Sequence, residues 1–139
     1  MRVVLADDHE LMRSRLRHLL DEDELIEVLA DSGDLGEAVR CVLRSHPRVL
    51  VLDMSMSSGS SIDAIRRLRE QLPATEIVVV TMAASAAFAS HVFDAGAIAY
   101  VLKDTADSEL AQAVRHAARG ERFLSPRVAA LLGGEPVCA

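Results

Sequence analysis

Short apolar runs alternate with amphipathic helical patterns five times along this chain, and that alternation restricts the fold more than any other feature. The runs are Val3–Ala6, Leu25–Ala30, Val49–Leu52, Ile77–Val80 and Ile98–Leu102, with helical periodicity near residues 10–20, 35–45, 62–72, 84–94 and 107–119. Strands joined by helical crossovers lie parallel, and the crossovers are right-handed. The third run has no polar alternation, so it reads as a strand covered on both faces. Five such units, with helices on both faces, make an α/β doubly wound parallel sheet. Asp34 and Glu37 have capping-box spacing, Pro47 and Pro73 stop the second and third helices, and Gly120 ends the fifth. Ser125 at the N-cap, Pro126 at the first helical position and Gly133 past the end predict a short sixth helix. Residues from Glu135 onward read as a tail.

Open parallel sheets build their sites at the carboxyl ends of the strands. The third run ends abruptly in Asp53, and a charge does not enter such a core uncompensated. The first strand delivers Asp7 and Asp8, the fourth Thr81, and the fifth Tyr100 and then Lys103. Adjacent carboxylates repel unless a cation lies among them. Oxygen ligands with room for water suit Mg²⁺. Lys103 and Thr81 would then hold an anion beside the metal, and a phosphoryl group carried on Asp53 has that character. Taken singly, Asp7 and Asp8 read as helix caps, Thr81 as a strand end, Lys103 as a solvated charge and Tyr100 as core. Their joint occurrence at successive strand ends is what favours a site. The five histidines are scattered and are assigned neither metal nor catalysis.

Composition removes other classes. The formal net charge is −6, which argues against nucleic-acid binding by this segment alone. No run is long enough to span a membrane, and the apolar start is too brief for a signal peptide. Cys41 and Cys138 make no disulfide framework, so a reduced, cytoplasmic setting fits. Aromatic residues make up only 3%, so the core must be aliphatic.

The segments Leu5-Ala6-Asp7-Asp8-His9, Leu50-Val51-Leu52-Asp53-Met54-Ser55-Met56, Val79-Val80-Thr81-Met82 and Tyr100-Val101-Leu102-Lys103-Asp104 occur in the order and spacing of one family. The chain resembles the receiver domain of two-component response regulators over residues 1–119. The stretch from Gly120 to Pro126 is similar to the NarL/FixJ (LuxR-type) subfamily, where it leads toward a helix-turn-helix. The resemblance implies a flavodoxin-like, CheY-like sheet of order 2-1-3-4-5. It implies phosphoryl transfer from a histidine kinase to Asp53, with conformational switching and dimerisation that control transcription through an output domain. It assigns Asp8, Asp53 and the backbone carbonyl of Ser55 to Mg²⁺, with Asp7 acting through water. Thr81 and Lys103 would contact the phosphoryl oxygens, and Thr81 and Tyr100 would form a switch pair. Residues 120–139 would be an extension that starts the linker to an output domain absent from this chain. DNA would be met only through that domain. The chain would be no enzyme beyond its own phosphorylation and dephosphorylation.

Three departures stand against the resemblance. Ser57 replaces the usual proline, Ser61 the usual glycine, and Ala83–Ala87 the usual polar start of the fourth helix. The first two predict a less constrained loop after Asp53, and the third leaves the fourth helix without an acidic start. Two rivals follow. One is an atypical receiver acting as a phosphate-independent interaction module. The other is a haloacid dehalogenase-type phosphatase, disfavoured because Ser55 occupies the second aspartate of its Asp-x-Asp. For a homodimer, the first and fifth helices are expected to meet, with Arg13, Arg15 and Arg17 facing acids such as Glu109. The fourth helix with the fifth strand is the alternative.

Overall fold

A computed structural model describes residues 1–132. Gly133, Cys138 and the predicted tail lie outside those residues. The elements are β1 (Arg2–Ala6), α1 (Glu10–Asp21), β2 (Glu27–Ser32), α2 (Leu35–Ser45), β3 (Val49–Asp53), α3 (Ser61–Gln71), β4 (Glu76–Thr81), α4 (Ala86–Ala95), β5 (Ala99–Leu102), α5 (Ala106–Ala118), β6 (Phe123–Leu124) and α6 (Pro126–Leu131). The sheet order is β2-β1-β3-β4-β5-β6, with every pairing parallel.

Strand alternation divides the interior into two layers. Val3, Leu5, Val49, Val51, Val78, Val80, Ala99 and Val101 pack with α1 and α5. Val4, Leu50, Leu52, Ile77, Val79, Tyr100 and Leu102 pack with α2, α3 and α4. Both faces of the inner strands are therefore covered, as their unbroken apolar runs require. Helix starts follow the side-chain chemistry. Asp34, Ser60 and Ser85 accept the backbone N–H of Glu37, Asp63 and Phe88. Ser85 thus caps α4, whose first turn holds no acid.

The sheet has six strands, not five. β6 pairs with β5 through Ala99–Phe123 and Tyr100–Leu124. Two residues carry no readable periodicity, so tertiary contacts decide their state. Phe123 and Leu124 bury against opposite layers. Ser125 fixes the pairing, and this differs from the capping role expected of it. Its hydroxyl accepts the Leu102 N–H at 2.9 Å and donates to the Glu109 carboxylate, and its own N–H donates to the Tyr100 carbonyl. The side chain makes no cap hydrogen bond to α6, although the helix forms as expected. β2 starts two residues later than its apolar run, because Leu25 is turned out to solvent while Ser32 is buried.

Candidate functional site

The two-residue period brings the site together. Asp7, Asp53 and Lys103 each lie two positions beyond a residue of the α1/α5 layer: Leu5, Val51 and Val101. All three therefore aim toward the same side at the carboxyl edge. Asp7 and Asp53 are fully buried, and Lys103 is nearly so. The Lys103 ammonium lies 3.1 Å from Asp53 Oδ1 and 3.3 Å from Asp7 Oδ2.

Backbone groups aim the carboxylates. Asp53 Oδ1 accepts from the N–H and hydroxyl of Ser55, at 3.1 and 2.9 Å. Asp7 Oδ1 accepts the His9 N–H at 2.9 Å. Asp8 Oδ2 accepts from both the N–H and the hydroxyl of Ser57, each at 2.8 Å. One oxygen of each carboxylate is left over: Asp7 Oδ2, Asp8 Oδ1 and Asp53 Oδ2 are buried without a hydrogen-bond partner. The ammonium is near Asp7 Oδ2 but lacks the geometry of a hydrogen bond to it.

The two aspartates of β1 and its following loop are tuned oppositely. Burial pushes the Asp7 carboxyl up, with the Asp53 charge adding to the rise and the His9 N–H and Lys103 opposing it. The Ser57 amide and hydroxyl hold the Asp8 carboxyl below the usual carboxylate range. Oxygens left bare in a buried acidic cluster are the donors a hard divalent cation takes. Asp7, Asp8, His9 and Asp53 offer ligand atoms within 4.8 Å of one another. The residues present therefore fit Mg²⁺.

His9 is the residue the sequence reading missed. Its Nδ1 lies 3.2 Å from Asp8, 3.6 Å from Asp7 and 3.9 Å from Asp53, over the mouth of the cluster. It follows Asp7 and Asp8 directly in sequence, but its approach to Asp53 joins two strand ends and has no local signal.

The loop after Asp53 is tied rather than loose, which corrects the expectation drawn from the missing proline and glycine. Besides the Ser57 contacts, the Ser58 hydroxyl accepts the Leu35 N–H at 2.8 Å. Ser61 donates to the Asp53 carbonyl at 2.9 Å. Four serines thus hold the loop by hydrogen bonds.

Thr81 and Tyr100 belong to the other layer, beneath α4. One residue joins them. The Ala83 N–H donates to Thr81 Oγ at 3.1 Å, and the Ala83 carbonyl accepts from the Tyr100 hydroxyl. The Tyr100 ring is fully buried between Phe88 and Phe93. Burial pushes its phenol up to about 12.

The response regulator receiver domain family matches residues 3–115. The oxygen regulatory protein NreC of Staphylococcus haemolyticus is 35% identical over 136 residues, covering 97% of this chain and 63% of NreC. The chain thus spans less than two thirds of the length of that curated relative. A LuxR-family two-component response regulator from Aurantimonas sp. SI85-9A1 superimposes with a TM-score of 0.87 at 35% identity, covering 93% of this chain and 92% of that one. A structure of two RcsB dimers bound to two parallel DNAs matches with a TM-score of 0.85 at 29% identity, over 95% of this chain and 67% of that one.

Proposed function

This chain belongs to the response regulator receiver family, of NarL/LuxR type, and from that premise we propose that Asp53 takes a phosphoryl group from a sensor histidine kinase. One observation carries the reading. Asp53 is fully buried, with Oδ1 held by Ser55 and Lys103 and Oδ2 free. A carboxylate oxygen of Asp53 is the nucleophile. It forms the new P–O bond as the P–N bond to the kinase histidine breaks, and the histidine nitrogen leaves with that electron pair. Mg²⁺ held by Asp8, Asp53 and the Ser55 carbonyl, with Asp7 behind a water, would supply charge neutralisation for the transfer. Lys103 would neutralise the phosphoryl oxygens. The Thr81 hydroxyl, which only accepts from Ala83, keeps its proton to donate to one of them.

Turning Thr81 toward the phosphoryl group gives up its bond to the Ala83 N–H. The Ala83 carbonyl is also what anchors the Tyr100 hydroxyl. We assign Thr81 and Tyr100 as the switch pair on this shared residue. The output would be a symmetric dimer that regulates transcription through a DNA-binding domain in the full-length protein. We place this work in the cytoplasm; no helix among the described residues is long and apolar enough to cross a membrane. Receiver domains are not metabolic enzymes, and the reactions proposed here are gain and loss of the chain's own phosphoryl group.

The test is intact mass after incubation with acetyl phosphate. A single phosphoryl adduct should appear with Mg²⁺ and disappear with a chelator. Absence of any adduct would favour the phosphate-independent module. Sustained turnover of a phosphate monoester would favour the phosphatase.

We assign the dimer to α1 and α5, but not through the ion pairs the sequence proposed. Arg13 and Arg17 both pair with Asp31 of their own chain, Arg15 pairs with Asp107, and Glu109 accepts from Ser125. A groove between the two helices has Leu19 and Ala111 on its walls, with Glu22, Asp23 and Asp107 around them. Sedimentation with beryllofluoride and Mg²⁺ should show dimers that Ala111→Arg abolishes. They should survive the pair Ala84→Glu and Ala87→Glu on the α4 side. The reverse outcome would give the interface to α4.

A further inference from the structure

Ser57 stands where the receiver family usually has proline, and it spans two loops 49 residues apart in sequence to reach Asp8. We infer that Ser57 is a positioning residue for the metal: its amide and hydroxyl fix the Asp8 carboxylate so that Oδ1 faces the acidic cluster. The inference rests on the proposed role of Asp8 as a metal ligand.

A carboxylate offers about four acceptor positions, two on each oxygen. Both Ser57 donors, at 2.8 Å each, fall on Oδ2. Oδ1 is left buried and without a hydrogen-bond partner, with the His9 Nδ1 3.2 Å away. A cation arriving at Oδ1 displaces neither hydrogen bond, so the two contacts are compatible with the loaded site. Without them, the Asp8 side chain would be free to rotate and would lose that freedom on binding. With them, the rotamer is already chosen in the metal-free protein. The same latch draws the loop carrying the Ser55 carbonyl against the loop carrying Asp8. The Asp8 loop is itself pinned by Arg13, whose Nη1 donates to the Asp7 carbonyl at 2.8 Å. A proline at position 57 has no N–H and no hydroxyl, so it can supply neither donor. The missing proline is therefore a gain of two donors, aimed at a ligand, as well as a lost torsional restraint.

The experiment is calorimetric titration of Mg²⁺ into the wild-type chain and three variants, with the metal-free Tm measured for each. Ser57→Ala keeps the amide donor, Ser57→Pro removes both donors, and Ser57→Thr keeps both. The expected order is a Kd weaker by about three-fold for Ala and about ten-fold for Pro, with Thr within about two-fold of wild type. A residue that only fastened the loop would change the metal-free Tm and leave the Kd where it was. Equal Kd values for wild type, Ala and Pro would overturn the inference and leave the proposed function standing. If wild type itself binds no Mg²⁺, both fall. Should the Pro variant fail to fold, the Ala-to-Thr contrast decides alone: a Thr variant as weak as Ala would count against the positioning role.

Discussion

Asp53→Asn is expected to end phosphoryl incorporation altogether, with no adduct over a time course in which the wild-type chain is fully modified. The amide has no anionic oxygen to attack phosphorus, and among the described residues no other carboxylate accepts from Ser55 beside the Lys103 ammonium. Asp7 lies nearest, across the Lys103 ammonium, and lacks the Ser55 contacts that hold Asp53. Asp8 has its outward oxygen taken by two Ser57 donors. The substitution should not unfold the protein. The side-chain oxygen of asparagine can still accept from Ser55, and one negative charge is removed from a crowded cluster. Circular dichroism at unchanged or higher Tm, together with intact mass, checks both halves. A phosphoryl adduct that persists in this variant would move the acceptor elsewhere and sink the assignment.

Lys103→Met should lower the metal-free stability by about 2–4 kcal/mol, because it strips the shared counter-charge from two fully buried carboxylates. Taken singly in the sequence, Lys103 reads as a solvated charge. Its depth in the structure reverses that expectation. For a chain of this size the loss corresponds to a Tm drop of roughly 5–15 °C. It should depend on pH with a definite sign. Asp7 has a raised carboxyl, so its contribution to stability is full below the ordinary value of 3.8 and is lost as pH rises through the folded value. Taking away the ammonium raises that folded value further. The gap between variant and wild type should therefore be small in acid and widen toward neutral pH. Mg²⁺ should restore part of the lost Tm, since a divalent cation replaces the missing charge and binds only the folded chain. A Tm unchanged across that pH range would show that Lys103 does not support the fold.

Much of this site was legible because chemistry-bearing residues interrupt apolar runs at strand ends. Asp7, Asp53, Thr81 and Lys103 each follow an apolar run, broken only by Tyr100 in β5, and the topology places such ends along one edge. The order of the central strands came from resemblance, since periodicity carries no information about neighbours. What stayed hidden depended on contacts distant in sequence. Ser57 meets Asp8 across 49 residues, and nothing in the local sequence distinguishes it from Ser58 or Ser60. The capping signal at Ser125 was real in composition. A buried backbone N–H at Leu102 competed for the same hydroxyl and won it. β6 could not be read at all, because two residues are too few to show a period.

The two ends of the sheet bear on how this chain avoids its own copies. An open strand edge is a template on which another chain can pair and grow. β5 consists of Ala99, Tyr100, Val101 and Leu102, all buried and all apolar apart from one phenol. Left bare, it would be such a template. β6 covers it with only two residues, and α6 follows at once, so the outermost strand is too short to recruit a neighbour. At the opposite end, β2 carries Glu27 and Asp31, with Asp31 held by two arginines of α1. Charge there does what shortness does at β6. Association by strand addition is thereby discouraged at both margins, which leaves the helical faces as the surfaces on which this chain can meet a partner and part from it again.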